Sequence, residues 1–171
     1  DNIEKFIVQH NPKIILNFTA FTDVDKAETH KKLAFNINAR APSIISSCEK
    51  KIGAIFVHIS SDYVYDDSKN QYLVEESEIK PKNIYGKSKA LGEKLIKENC
   101  KKFIILRTSW LYGSHKNNFF TKISKLIKTQ NCIKVVNDQI GSPTLVDDLV
   151  DAVLIILNIL LKEKLNKKNK K

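Results

Sequence analysis

The sequence predicts an α/β protein built on a partial Rossmann-like parallel sheet with flanking helices. Short and nearly unbroken apolar runs, such as residues 13–18 and 54–59, are typical of strands that are covered on both faces. Longer segments with helical periodicity separate these runs, and this alternation favours parallel strands joined by right-handed crossovers. Polar and aromatic clusters follow the predicted strands at residues 19–24, 60–63 and 108–112, where ligands bind in such sheets.

The N-terminal half is predicted to alternate helix and strand twice. Asp1 and Asn2 can cap a helix over residues 3–10, and Pro12 ends it. The apolar run that follows is too short for a helix and is predicted as a strand. The remaining elements of this half are, in order, strand 13–18, a helix over 26–50 with a break near Pro42, and strand 54–59.

The C-terminal half continues the alternation after a loop over residues 61–82, which is rich in Asp, Ser, Glu and Lys. Apolar residues at helical spacing predict the helices, and short apolar runs predict the strands. Pro143 and Thr144 open the last helix. The predicted elements are, in order, helix 85–99, strand 103–106, helix 118–129, strand 133–136 and helix 144–164.

The net charge of +10 is concentrated at one end of the chain. Residues 162–171 contain six lysines and one glutamate, hence +5 of the +10, and residues 166–171 are predicted to be a basic disordered tail. We therefore predict no nucleic-acid partner. The most apolar stretch, 150–161, is shorter than the about 20 residues that span a bilayer, so no membrane partner is predicted either.

The three cysteines, Cys48, Cys100 and Cys132, are far apart and do not have the spacing of a metal site. An odd number of dispersed cysteines is typical of reduced thiols in a cytoplasmic protein. We therefore predict a cytoplasmic location and no metal ligand.

Residues 85–89, YGKSK, place Tyr85 and Lys89 on one face of a helix. An ammonium beside a phenol is expected to lower the phenol pKa towards neutrality, which suits a proton donor to a carbonyl that accepts a hydride. This short motif also fits a solvated helix face. The order of a strand, the serine at Ser61 and then the Tyr-x-x-x-Lys helix is that of a short-chain dehydrogenase/reductase.

Five segments together resemble the dTDP-4-dehydrorhamnose reductase family of extended short-chain dehydrogenases/reductases. They occur in the order and spacing of that family and cover nearly the whole chain. They are residues 21–28 (FTDVDKAE), 58–65 (HISSDYVY), 83–93 (NIYGKSKALGE), 105–113 (ILRTSWLYG) and 136–144 (VNDQIGSPT).

The resemblance implies reduction of the C4 keto group of dTDP-4-dehydro-L-rhamnose with NADPH or NADH. It makes Tyr85 the proton donor, Lys89 its partner and ribose ligand, and Ser61 a hydrogen-bond donor to the keto oxygen, although a threonine is more usual there. The implied cofactor contacts are Ala20, Phe21, Thr22, Ile59, Tyr85 and Lys89. The implied contacts with the nucleotide sugar are Ser61, Asp62, Trp110 and Val24.

The resemblance also implies missing parts. The family begins with a strand and a glycine-rich turn that binds the cofactor pyrophosphate, and no such turn is present here. We expect residues 1–165 to be a partial NAD(P)-binding domain that keeps strands four to seven of the family fold, with 13–18 as an unpaired edge, and without the C-terminal end of the family. We also expect this chain alone to bind dinucleotide weakly or not at all, and the full-length protein to be compatible with a homodimer.

Other interpretations stay open at this point. The chain could be a non-catalytic remnant or a regulatory subunit of the same fold, like the regulatory subunit of methionine adenosyltransferase, or a nucleotide-sugar epimerase. Single residues also have structural explanations: Ser61 and Asp62 could shape a turn, and Trp110 could pack in a core. His58 lies inside a strand and is predicted to be a buried, hydrogen-bonded histidine rather than a catalyst.

Overall fold

A computed structural model describes three stretches of the chain, residues 2–66, 72–114 and 118–168, with side chains as far as residue 162. Within it the chain forms two compact units, Asp1–Thr108 and Ser109–Lys171. The predicted class is confirmed, since both units contain parallel strands with helices. The extent of the predicted domain, residues 1–165, stays a prediction.

The first unit is organised around a three-stranded parallel sheet. Its strands are β1 (Ile14–Asn17), β2 (Ile55–Ser61) and β3 (Phe103–Thr108), in the spatial order β1-β2-β3. Strand β2 is therefore central and almost entirely buried, as the mostly apolar run over residues 54–59 predicts. Among the described strands β1 lies at the edge, in agreement with the sequence, and its register places Asn17 opposite His58.

Short helices replace the single long helix that was predicted over residues 26–50. The helices of this unit are α1 (Asn2–His10), α2 (Val24–Thr29), α3 (Lys31–Phe35), α4 (Ala41–Ser47), α5 (Glu49–Ile52) and α6 (Ile84–Asn99). A π-helical turn, Asn36–Arg40, joins α3 to α4. The predicted break at Pro42 is wrong, because this wider turn precedes the proline and the chain continues as a helix through it.

Two small apolar clusters pack the elements of this unit together. One joins α2, α3 and α6 through Ala27, Ala34 and Tyr85. The other joins β2 to the C-terminal end of α6 through Phe56, Ile96 and Cys100. Helix α6 contributes to both clusters, so its N-terminal end packs against α2 and α3 and its C-terminal end packs against β2.

The second unit contains a two-stranded parallel pair, β4 (Leu111–Tyr112) and β5 (Thr144–Leu145), with helices α7 (Phe119–Thr129) and α8 (Val146–Lys168). Asn118 and Thr121 form a reciprocal capping box at the start of α7. Of the predicted tail, residues 166–168 belong to α8 and residues 169–171 lie outside the described part. In the described residues, no helix is both long and apolar enough to cross a bilayer.

The strand predicted over residues 133–136 does not form, so the prediction of four strands in one sheet is wrong. Val135 and Val136 are 49% and 63% exposed. A strand needs a partner for its backbone groups, and the short strand β4 pairs with Thr144 and Leu145 instead. The predicted final helix consequently begins two residues later, at Val146.

Candidate active site

The C-terminal end of β2 and the N-terminal end of α6 meet at one place on the sheet. After Ser61 the chain enters a 3₁₀ turn, Asp62–Val64. Helix α6 starts beside this turn, with the Asn83 side chain accepting a hydrogen bond from the Gly86 amide at 2.7 Å. The predicted convergence of Ser61 and Tyr85 is confirmed, because the Ser61 hydroxyl lies close enough to the phenol to lower the pKa of Tyr85.

Tyr85 is a largely buried phenol. Its ring stands edge-on to the ring of Tyr63, with 5.5 Å between centroids, and packs against Ala27 and Ala34. Burial raises the pKa of Tyr85, the nearby Asp62 and Tyr63 add to this effect, and the hydrogen bond with Ser61 opposes it. The expectation that the phenol pKa is lowered towards neutrality is therefore wrong for this arrangement, in which the effect of burial is the largest.

Ser61 and Asp62 also shape the turn that follows β2. The Ser61 hydroxyl donates a hydrogen bond to the Asp62 carboxylate at 2.9 Å and accepts one from the Tyr63 amide at 3.3 Å. These contacts fix the direction of the Ser61 side chain. The serine that contacts Tyr85 is thus held by its own turn, and the structural and functional interpretations of Ser61 are compatible.

Gly86 allows this close approach of α6 to the turn. A Cβ atom at residue 86 would lie well inside van der Waals distance of the Tyr63 carbonyl oxygen. The obstructing atom belongs to the backbone, so it cannot rotate away. A glycine directly after Tyr85 is therefore required for the tyrosine to reach Ser61.

Lys89 points to the sheet and is 1% exposed. Its Nζ donates to the Ile59 carbonyl oxygen at 2.6 Å and lies 3.4 Å from Nε2 of His58. Burial lowers the pKa of Lys89 to about 8, while the carboxylate of Glu93 opposes the shift. Lys89 and Ile59, both predicted to contact the cofactor, thus contact each other.

His58 is fully buried in β2 and hydrogen-bonded, which confirms the prediction for it. Its Nδ1 lies 3.0 Å from Nδ2 of Asn17 on the neighbouring strand. Burial, together with the positive charge of Lys89, lowers the pKa of His58 to about 3. The ring is therefore neutral at ordinary pH.

The predicted cofactor segment, residues 20–22, is held in place by Asn38, which the sequence analysis missed. The Asn38 side chain accepts a hydrogen bond from the Phe21 amide at 2.8 Å and donates one to the Phe21 carbonyl oxygen at 3.1 Å. It also donates to the Ser88 hydroxyl at 2.9 Å, which links the segment to α6. Asn38 is one of many polar residues between 26 and 50, so no signal in the sequence singles it out.

The other predicted positions near this segment are less enclosed. Val24 starts α2 and packs against the cluster that contains Tyr85. Ala20 is half-buried and Thr22 is exposed.

An ion pair joins α6 to β3 beside the site. Arg107 donates from Nε and Nη2 to the two carboxylate oxygens of Glu93, at 2.9 and 2.6 Å. Its third nitrogen, Nη1, donates to the Tyr65 hydroxyl at 2.7 Å and to the Glu75 carbonyl oxygen at 3.0 Å. The bidentate pairing raises the pKa of Arg107 further above its usual range, so the guanidinium is always charged.

Trp110 belongs to the second unit. Its φ of 46° lies in the left-handed region, which is uncommon for a residue other than glycine. Its carbonyl oxygen accepts a hydrogen bond from the Thr144 amide at 3.3 Å, and its indole lies directly against Gly141. Trp110 is still 40% exposed.

Comparisons with known proteins agree with these features. The family model described as RmlD substrate binding domain matches residues 1–169. The chain is 43% identical over 145 residues to the spore coat polysaccharide biosynthesis protein SpsK of Bacillus subtilis, which covers 85% of this chain and 51% of that protein. It is 39% identical over 151 residues to the dTDP-4-dehydrorhamnose reductase of Salmonella typhimurium, covering 86% and 50%.

A solved structure shares the fold. The dTDP-4-dehydrorhamnose reductase of Bacillus anthracis, in complex with NADP, superimposes with a TM-score of 0.87 at 39% identity, over 91% of this chain and 56% of that one. The chain thus spans about half the length of the relatives it matches.

Proposed function

The chain belongs to the family described as the RmlD substrate binding domain, and from this premise we propose that the protein containing it is an NAD(P)H-dependent nucleotide-sugar reductase. The proposed reaction is reduction of the C4 keto group of dTDP-4-dehydro-L-rhamnose to dTDP-L-rhamnose. The relatives that carry this name support the substrate, and the relative solved with NADP supports the cofactor.

The contact between Ser61 and Tyr85 is the observation that carries the proposal. Both hydroxyl groups lie at the carboxyl end of the central strand, where α/β sheets bind ligands. A substrate carbonyl oxygen within reach of both would accept the hydrogen bond that Ser61 otherwise donates to Asp62, and a proton from Tyr85. Because burial keeps the phenol protonated, Tyr85 holds the proton that the reaction needs.

The donor set also suits a nicotinamide cofactor. The ammonium of Lys89 and the hydroxyl of Tyr85 can bind ribose hydroxyls. The backbone of the segment Ala20, Phe21 and Thr22 is held by the hydrogen bonds between Asn38 and Phe21. When bound, the reduced nicotinamide supplies the hydride. In this proposal Ile59 contributes its carbonyl oxygen by orienting Lys89.

Contacts with the nucleotide sugar are proposed for Ser61, Asp62, Val24 and Trp110. Asp62 follows Ser61 directly, and Trp110 is partly exposed. We also propose a cytoplasmic location, which the three free cysteines support because oxidising compartments favour disulfides. The homodimer stays a prediction.

A product assay tests the function. The whole protein is incubated with NADPH and dTDP-4-dehydro-L-rhamnose, and both NADPH oxidation and the sugar product are followed. The proposal expects one dTDP-L-rhamnose for each NADPH oxidised. Interconversion of sugars at C4 without net NADPH consumption would instead indicate an epimerase, and no reaction with tight substrate binding would indicate a non-catalytic binding protein.

A further inference from the structure

A buried chain of hydrogen bonds leads from the edge strand β1 to the helix α6. It starts at the backbone amide of Thr19, which donates to Oδ1 of Asn17 at 3.1 Å. It continues from Nδ2 of Asn17 to Nδ1 of His58, 3.0 Å away, and from Nε2 of His58 to Nζ of Lys89, 3.4 Å away. Lys89 ends the chain on the Ile59 carbonyl oxygen. Asn17, His58 and Lys89 are 6%, 0% and 1% exposed, so water does not compete for these bonds.

The first bond determines the direction of the second. A backbone N–H can only donate, so Asn17 must present its carbonyl oxygen to Thr19 and its NH₂ group to His58. An NH₂ group also only donates, so Nδ1 of His58 must accept and carries no proton. The proton of the neutral ring is therefore on Nε2, the nitrogen that faces Lys89.

Every group in this chain of hydrogen bonds is satisfied for one form of Lys89, the neutral amine. A neutral amine has a lone pair that accepts from the Nε2–H of His58 while its own N–H donates to Ile59. An ammonium has no lone pair and would place two donors against each other. We propose that Asn17 and His58 are positioning residues that act through Lys89: Asn17 locks the Nε2–H tautomer of His58, and this tautomer favours the neutral amine of Lys89.

The charges around Lys89 do not strongly favour either its neutral or its charged form. From the sheet, Lys89 faces His58, and on its own helix the carboxylate of Glu93 favours the ammonium while being shared with Arg107 of β3. The pKa of Lys89, lowered to about 8, and that of His58, lowered to about 3, agree with a neutral ring beside a lysine that loses its proton more easily than usual. The inference rests on the proposed function only where it gives Lys89 a part in the reaction.

Nitrogen NMR of the uniformly labelled protein tests directly which ring nitrogen of His58 carries the proton. The two ring nitrogens of a neutral histidine have well separated shifts, so the protonated one is identified, and a His58→Gln variant assigns the signals. We expect the proton on Nε2 from pH 5 to pH 9. A proton on Nδ1 in the wild-type protein would overturn the proposal.

An Asn17→Asp variant should reverse the tautomer of His58. One carboxylate oxygen still accepts from Thr19, and the other accepts from the ring, which moves the proton of His58 to Nδ1. Nε2 then accepts from the ammonium of Lys89, so the proton affinity of Lys89, measured from the pH dependence of its side-chain signals, should increase about tenfold or more. Leu16→Asp adds a carboxylate one residue away at a 41% exposed position, and should change neither the tautomer nor Lys89.

Two further outcomes separate this inference from the proposed function. If the tautomer moves in Asn17→Asp but Lys89 titrates as before, His58 does not control Lys89 and the inference is wrong. In the reductase assay, Asn17→Asp should also shift the alkaline limb of kcat/KM to higher pH, unlike Leu16→Asp. A protein without reductase activity that still shows both NMR results would contradict the proposed function alone.

Discussion

Burial shifts the pKa values of the two central residues in opposite directions. It raises the pKa of Tyr85 above its usual value near 10 and lowers that of Lys89 from 10.5 to about 8. As the pH rises, Lys89 therefore loses its charge before Tyr85 loses its proton. The lysine, and not the proton donor, should set the upper pH limit of the reaction.

Because Lys89 titrates before Tyr85, the variant Lys89→Arg should change the pH profile of kcat/KM. In the wild-type protein, kcat/KM should fall as the pH rises through about 8, because the ammonium disappears. A guanidinium stays charged at every accessible pH, so the variant, although slower, should lose this fall. The measurement is kcat/KM for NADPH between pH 6 and 10, with exposed Lys87→Arg as the control; an unchanged fall in Lys89→Arg would mean that another group titrates.

The residues of the site were predictable to the extent that their spacing along the chain implied contact. The separation of four residues placed Tyr85 and Lys89 on one helix face, and the strand that ends at Ser61 brought it to Tyr85. The direction of Lys89 was not predictable, because it depends on the Ile59 carbonyl oxygen of another element. The same is true of Asn38, whose two partner residues, Phe21 and Ser88, are distant in sequence.

Helix α6 approaches the turn after β2 only because residue 86 has no side chain. Gly86→Ala should therefore displace the start of the helix, destabilise the protein by about 1–3 kcal/mol and reduce turnover. Gly113→Ala is the matched control, since its Cβ would meet Val146 at an ordinary 3.6 Å. Urea unfolding and NADPH oxidation measure both effects, and equal behaviour of the two variants would show that α6 does not pack as described.

The pair of Arg107 and Glu93 fixes α6 to β3 in a nearly dry environment. Arg107→Leu leaves the Glu93 carboxylate, 1% exposed, without its partner, and should cost about 3–5 kcal/mol of unfolding free energy. The double variant Arg107→Leu with Glu93→Leu should lose less than the single one, because no charge stays buried. Urea unfolding of the three proteins decides this, and a double variant less stable than Arg107→Leu would refute it.

The fold class of the whole molecule was predictable from the sequence, but some of its individual strands and helices were not. Alternating apolar runs and helical segments indicated the parallel α/β architecture, and the buried strand β2 matches its run closely. Residues 133–136 have the composition of a strand, but pairing depends on a neighbour that composition does not reveal. The single helix predicted over residues 26–50 does not form for a related reason, because the shorter helices of this segment pack separately against α6.

The central claim is that this chain carries the proton donor of a nucleotide-sugar reductase. Tyr85→Phe keeps the ring that packs against Ala27 and Ala34 and removes only the hydroxyl. In the whole protein, turnover of dTDP-4-dehydro-L-rhamnose should fall about 10²–10⁴-fold, because general acid catalysis is lost. Affinity for NADPH, titrated by fluorescence, should change little, and Ser61→Ala should reduce turnover less than Tyr85→Phe.

Steady-state NADPH oxidation by Tyr85→Phe, compared with the wild-type protein at pH 7, is the most direct measurement. A loss of that size with cofactor binding retained is the result that the arrangement of Ser61, Tyr85 and Lys89 predicts. Wild-type turnover in Tyr85→Phe would contradict it, and Tyr85 would then serve only in the packing of α6.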